Sequence, residues 1–146
     1  MEISIFTAMA IRLFKNLILT FICSSALVVS AIWGTYYIFD NYGVYFDTSL
    51  NGLIEWVFIS NVLLILLSMP VFFLAKASLW NRPSLRLLFY YGLPAVALII
   101  TLKGALQVDN PMLDMEVWIN PIIVVVFIVI HTICYVKLVK KGFITS

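Results

Sequence analysis

Charge is what this sequence has least of. Only 11% of its 146 residues are Asp, Glu, Lys or Arg, and 64% are hydrophobic, whereas roughly a quarter of an ordinary soluble domain is charged. That balance excludes a soluble single domain. Two cysteines, Cys23 and Cys134, cannot build a disulfide-held secreted scaffold, and without a Cys-x-x-Cys pair there is no disulfide-exchange chemistry. Six glycines and five prolines, with no low-complexity run, exclude collagen-like and disordered chains. There is one histidine, and no metal-ligand spacing, no acid pair inside an apolar run and no glycine-rich phosphate loop. The expectation is a non-enzymatic protein without a metal or cofactor.

What the sequence has in quantity is apolar length. A hydrocarbon slab of about 30 Å takes roughly 20 apolar residues as helix, and four uncharged or nearly uncharged runs qualify: residues 17–39, 53–75, 85–102 and 117–138. These runs are continuous, whereas β-barrel strands would be about 10 residues of alternating polarity. With no water in the slab, a helix satisfies every backbone group from within. The predicted fold is all-α: one membrane domain over residues 1–146, an antiparallel bundle of four transmembrane helices.

Orientation follows from the bases, which are retained on the cytoplasmic side of short loops. Arg12 and Lys15 precede the first span, Lys76, Arg82 and Arg86 lie between the second and third, and Lys137, Lys140 and Lys141 follow the fourth. Eight of the nine bases therefore share one side, with Lys103 on the other. Six of the seven acids do the reverse: Asp40, Asp47, Glu55, Asp109, Asp114 and Glu116 lie opposite, and Glu2 lies with the bases. Both termini are predicted to be cytoplasmic. Val29-Ser30-Ala31 satisfies the small-residue rule for signal cleavage, but the first apolar run is longer than a signal core and its loss would spoil the alternation of loop charge, so it is expected to be retained.

Helix association in lipid favours stripes of small residues. Ala26, Ser30 and Gly34 recur at four-residue spacing with Cys23 about one turn earlier, and are expected to pack against span two or four within the chain, a homodimer or a foreign helix being the alternatives. Trp33, Tyr36, Tyr37, Tyr42, Tyr45, Trp56 and Trp118 read as an outer aromatic belt, and Phe72, Phe73, Trp80, Tyr90, Tyr91 and Tyr135 as its cytoplasmic counterpart. Pro70 and Pro94 each remove a backbone donor and should loosen or kink spans two and three, whereas Pro121 sits in a first turn where proline is tolerated. The halves show no repeat of the kind transporters use.

Polar groups within the spans are few: Glu55 at the outer interface, Asn61 and Ser68 on one face of span two, and Asn120 and His131 on one face of span four. Asn61 and Ser68 are expected to bond to another helix, and His131 to be a neutral imidazole hydrogen-bonded across the bundle.

Four spans with both ends cytoplasmic, a basic middle loop, short external loops and the tail Lys137-Leu138-Val139-Lys140-Lys141 together resemble the immunity proteins of pore-forming A-type colicins. The resemblance covers the whole chain in plan, with external loops shorter than in that family. It implies a bacterial inner-membrane protein that blocks a toxin's pore-forming helices from within the bilayer. On that reading Asp40, Asp47, Asp109, Asp114 and Glu116 would steer a basic toxin domain. Two other roles are open: an accessory subunit of a larger membrane complex, or a small oligomeric transporter or channel with Glu55, Asn61, Asn120 and His131 lining a polar route. The expected partners are the lipid bilayer and another membrane-inserted protein, not nucleic acid, since topology alone explains where the bases lie.

Overall fold

The structure, a computed structural model, describes residues 2–41, 49–107 and 115–141, and among these all side chains except those of residues 2–4, 39–41, 115, 116 and 141. It is helical throughout the described residues: α1 (Glu2–Asn41), α2 (Leu50–Leu67), a 3₁₀ segment (Met69–Ala75), the short α3 (Ala77–Trp80), α4 (Pro83–Leu106), a 3₁₀ turn (Met115–Trp118) and α5 (Ile119–Lys141). Four stretches are long and apolar enough to cross a membrane: Ile5–Ile38, Leu50–Ala75, Pro83–Leu106 and Ile119–Lys140. The chain is an all-α, multi-pass membrane protein of four spans. Its exterior agrees with that solvent: Ile22, Leu63, Leu88, Ile99, Ile100 and Val129 are all exposed.

Local chemistry sets most of the boundaries. Ser49 caps α2, its hydroxyl accepting the Gly52 N–H at 3.2 Å. Pro83 opens α4 at a first-turn position where its missing N–H costs nothing. The first helix, at 40 residues, is longer than its apolar run. Lys15 and Arg12 mark where the lipid should end, but a charged side chain does not break a helix, and the backbone continues unbroken to Glu2.

Span two changes winding where Pro70 cannot donate to a carbonyl four residues back. The Ser68 hydroxyl donates to Leu64 O at 2.8 Å, and the Val71 N–H reaches Ser68 O at 3.1 Å in a tighter, three-residue bond. Buried Ser68, Val71 and Leu74 then recur every third residue, the spacing at which 3₁₀ side chains line up on one edge. Ser68 thus bonds within its own helix, not to a neighbouring one as its position on span two suggested.

The spans alternate in direction. Helix α1 packs against α2 and α5, α4 against α5 and the 3₁₀ segment, and α2 also touches α5. The core has two parts. At the basic end Met9, Leu13 and Leu17 of α1 meet Val71, Leu74, Ala75, Trp80, Tyr90 and Leu138. Toward the acidic end Val28, Val57, Leu64, Ile123, Val124 and Phe127 form the second. Trp80 and Tyr90 are therefore core residues, 3% and 1% exposed, and not members of an interfacial belt. The outer belt keeps Trp33 and Tyr37, which are exposed and stacked with ring centroids 6.4 Å apart, while Tyr42 and Tyr45 lie outside the described residues.

Candidate functional site

Two faces of α1 carry small or polar residues at four-residue spacing, and the structure separates them. Asn16, Thr20 and Ser24 point into the bundle, with Thr20 and Ser24 fully buried. The Ser24 hydroxyl donates to Asn61 Oδ1 on α2 at 2.7 Å, and Asn61 Nδ2 donates to Val57 O at 3.1 Å. Asn16 Nδ2 reaches Cys134 O on α5 at 3.4 Å. The other stripe faces away: Ala26 and Ser30 are exposed, and Gly34 is half-buried with nothing within 4 Å of where a Cβ would stand. The expectation that Ala26, Ser30 and Gly34 pack within the chain is corrected accordingly. The stripe carrying an amide and two hydroxyls is drawn inward, where Asn16 and Ser24 find acceptors on α5 and α2, whereas the other stripe carries a single hydroxyl, Ser30, which can bond back to its own helix.

Below the Ser24–Asn61 pair lies an aromatic layer built by α4 and α5. His131 is completely buried. Its ring stacks on Tyr90 with centroids 4.3 Å apart and on Phe127 at 5.5 Å, and Tyr91 meets it edge-on at 6.2 Å. Tyr135 closes the layer, 4.7 Å from Tyr90 and 5.7 Å from Tyr91. Neither imidazole nitrogen has a hydrogen-bond partner, so His131 is not the cross-bundle hydrogen bonder its position suggested. Pro94, inside α4 and buried, has no N–H to give the Tyr90 carbonyl four residues earlier.

The four polar residues proposed to share one route are dispersed. Glu55 is exposed at the start of α2. Asn61 is engaged by Ser24, Asn120 accepts the Trp56 indole N–H at 2.6 Å, and His131 is enclosed by rings. Among the described residues they do not converge on a common path, and no group of three or more His, Cys, Asp or Glu side chains gathers to hold a metal. Asp47, Asp109 and Asp114 lie outside the described residues, and of Asp40 and Glu116 only the backbone is described.

Sequence reasoning missed Asn16, Ser24 and the roles of Tyr90 and Tyr135. The signal for the first two was present, since Asn16, Thr20 and Ser24 repeat every fourth residue like the stripe that was preferred. Two shallow apolar crevices lie along the bundle-facing side of α1. One, of about 230 Å³, lies between α1 and α2 along Phe14, Ile18, Val62 and Leu66. The other, of about 140 Å³, lies nearer the acidic end among Val28, Ile32, Leu53 and Ile122. Comparison of the chain with known protein families, with curated proteins and with solved structures finds no match.

Proposed function

We propose that the chain works by binding another membrane-inserted protein through the outward face of α1. The supporting observation is that Ala26, Ser30 and Gly34 form a flat strip that no other helix of the chain covers. Without a hydrophobic drive between helices in lipid, association depends on backbones coming close, and such a strip is the surface that permits it. Of the polar residues that could line a route, by contrast, Asn61 and Asn120 are hydrogen-bonded within the chain and His131 is enclosed by aromatic rings.

The specific form we propose is immunity, in a bacterial inner membrane, to a pore-forming bacteriocin whose hairpin would dock on this strip. The four-span plan with both basic ends on one side supports it, as does the resemblance to colicin immunity proteins. The test is protection of expressing cells against a panel of pore-forming bacteriocins, with Ser30→Leu and Gly34→Leu beside the parent chain. Protection by the parent and its loss in both variants, at unchanged membrane abundance, is expected. Full protection by both variants overturns the strip as the docking face. An endogenous protein that co-purifies in mild detergent and is released by the same substitutions, without any protection, replaces immunity by an accessory-subunit role.

A further inference from the structure

The basic end of the bundle contains two kinds of cation. Lys15, Lys76, Arg82, Lys137 and Lys140 are exposed. Arg12 and Arg86 are not: each is partly buried, and each has one guanidinium nitrogen, Nη1 of Arg12 and Nε of Arg86, shielded from solvent with no hydrogen-bond partner. Arg86 lies over the buried Trp80 indole at 5.2 Å. Glu55, the one acid whose side chain is described, is at the opposite end. Among the described residues, therefore, neither guanidinium has a carboxylate to meet.

The register of the helices brings these two arginines to one level. Helices α1 and α4 run in the same direction through the bundle, and Asn16 and Tyr90 lie at one level, since Asn16 Nδ2 reaches Cys134 O and Tyr90 packs on the adjacent Tyr135. Arg12 and Arg86 each sit four residues before those two residues, on the same helix faces, about 6 Å nearer the basic end. The two arginines thus stand at one level near the basic mouth of the bundle. This is the level of the lipid headgroups, since the first apolar run begins at Leu17 and α4 begins at Pro83. The other nitrogens of each partly buried fork remain open to a ligand, and an anion with several oxygens would meet them through charge-assisted bonds.

We propose that Arg12 and Arg86 form a phosphate-binding site at the basic mouth of the bundle, filled by the phosphate of an anionic phospholipid. The planar forks of two arginines suit the divergent oxygens of a phosphodiester, and Trp80 holds one fork flat. The site is distinct from the α1 strip, which begins about 21 Å farther along the same helix.

The test uses the purified full chain in a neutral detergent, titrated with short-chain phosphatidylglycerol, with phosphatidylcholine of the same chain length and with inorganic phosphate, and read by native mass spectrometry and thermal shift. The parent should bind one phosphatidylglycerol saturably and in preference to phosphatidylcholine. The double variant Arg12→Gln/Arg86→Gln should lose about 30-fold in affinity. The double variant Lys76→Gln/Lys137→Gln, which removes the same charge from exposed positions, should stay near the parent. Competition by millimolar inorganic phosphate would make the free anion the ligand of the same site; its absence assigns the lipid. Arg12→Lys/Arg86→Lys retains charge without the fork and guards against misfolding of the glutamine variant, and it should bind at an intermediate level. Equal losses in the two glutamine doubles, or no saturable binding by the parent, overturn the proposal.

Discussion

Asn61 and His131 are both fully shielded inside the bundle, yet they are housed in opposite ways. The amide has both polar atoms engaged, by Ser24 across the helix pair and by Val57 within α2. The imidazole has neither nitrogen engaged and is held by ring faces. An interhelical hydrogen bond in lipid averages about 0.6 kcal/mol, and a ring pair contributes about 0.5–1.5 kcal/mol beyond its buried area. The attractive contributions are therefore similar. What separates the two sites is the penalty of the unmet nitrogens, of order 1–3 kcal/mol. The Asn61 layer joins helices, and the His131 layer fills space at a cost.

The sharpest way to break this comparison is to remove the aromatic lid. Tyr90→Ala leaves a void against His131, Tyr91 and Tyr135 and should destabilise the bundle by about 3 kcal/mol, read by reversible unfolding in mixed micelles. Asn61→Ala should cost about 1 kcal/mol, less than its complete burial suggests. The reason is that the Ser24 hydroxyl has an alternative acceptor in Phe21 O, 3.2 Å away. His131→Phe tests the other half: it keeps the ring and discards the unmet nitrogens, so stability should hold or rise by up to about 1 kcal/mol. A loss instead would mean that the imidazole has a partner in the membrane. The smallest effect belongs to the outward strip. Gly34→Ala meets no neighbour and should raise stability by about 0.5 kcal/mol through backbone entropy alone.

The spans were legible because lipid imposes one rule on every residue of a run. From length and hydrophobicity alone, three of the four apolar boundaries fall within a few residues of the helices that form. Faces were less legible. Ala26-Ser30-Gly34 and Asn16-Thr20-Ser24 share one period, and what draws the second inward lies on other helices, Asn61 for Ser24 and the Cys134 carbonyl for Asn16. Tyr90 and Trp80 were misplaced for a related reason: an aromatic residue near a span end satisfies the belt pattern whether it points to lipid or to the core. His131 could be placed on one face of its span with Asn120, but what surrounds it depends on α4, which no periodicity in α5 encodes. The partner-facing acids fall mainly in loops outside the described residues, so the sequence remains their only source.

The rewinding of span two at Pro70 also alters how far that span reaches. Seven residues as 3₁₀ helix rise about 2.0 Å each, against about 1.5 Å in an α-helix, so the segment gains roughly 3–4 Å of depth. The same tightening turns its trailing end through a different angle, and the polypeptide emerges where α3 can tuck the Trp80 indole beneath the bundle. A single imino acid thereby acts as a spacer, carrying the junction between the second and third spans farther toward the basic end without spending extra sequence.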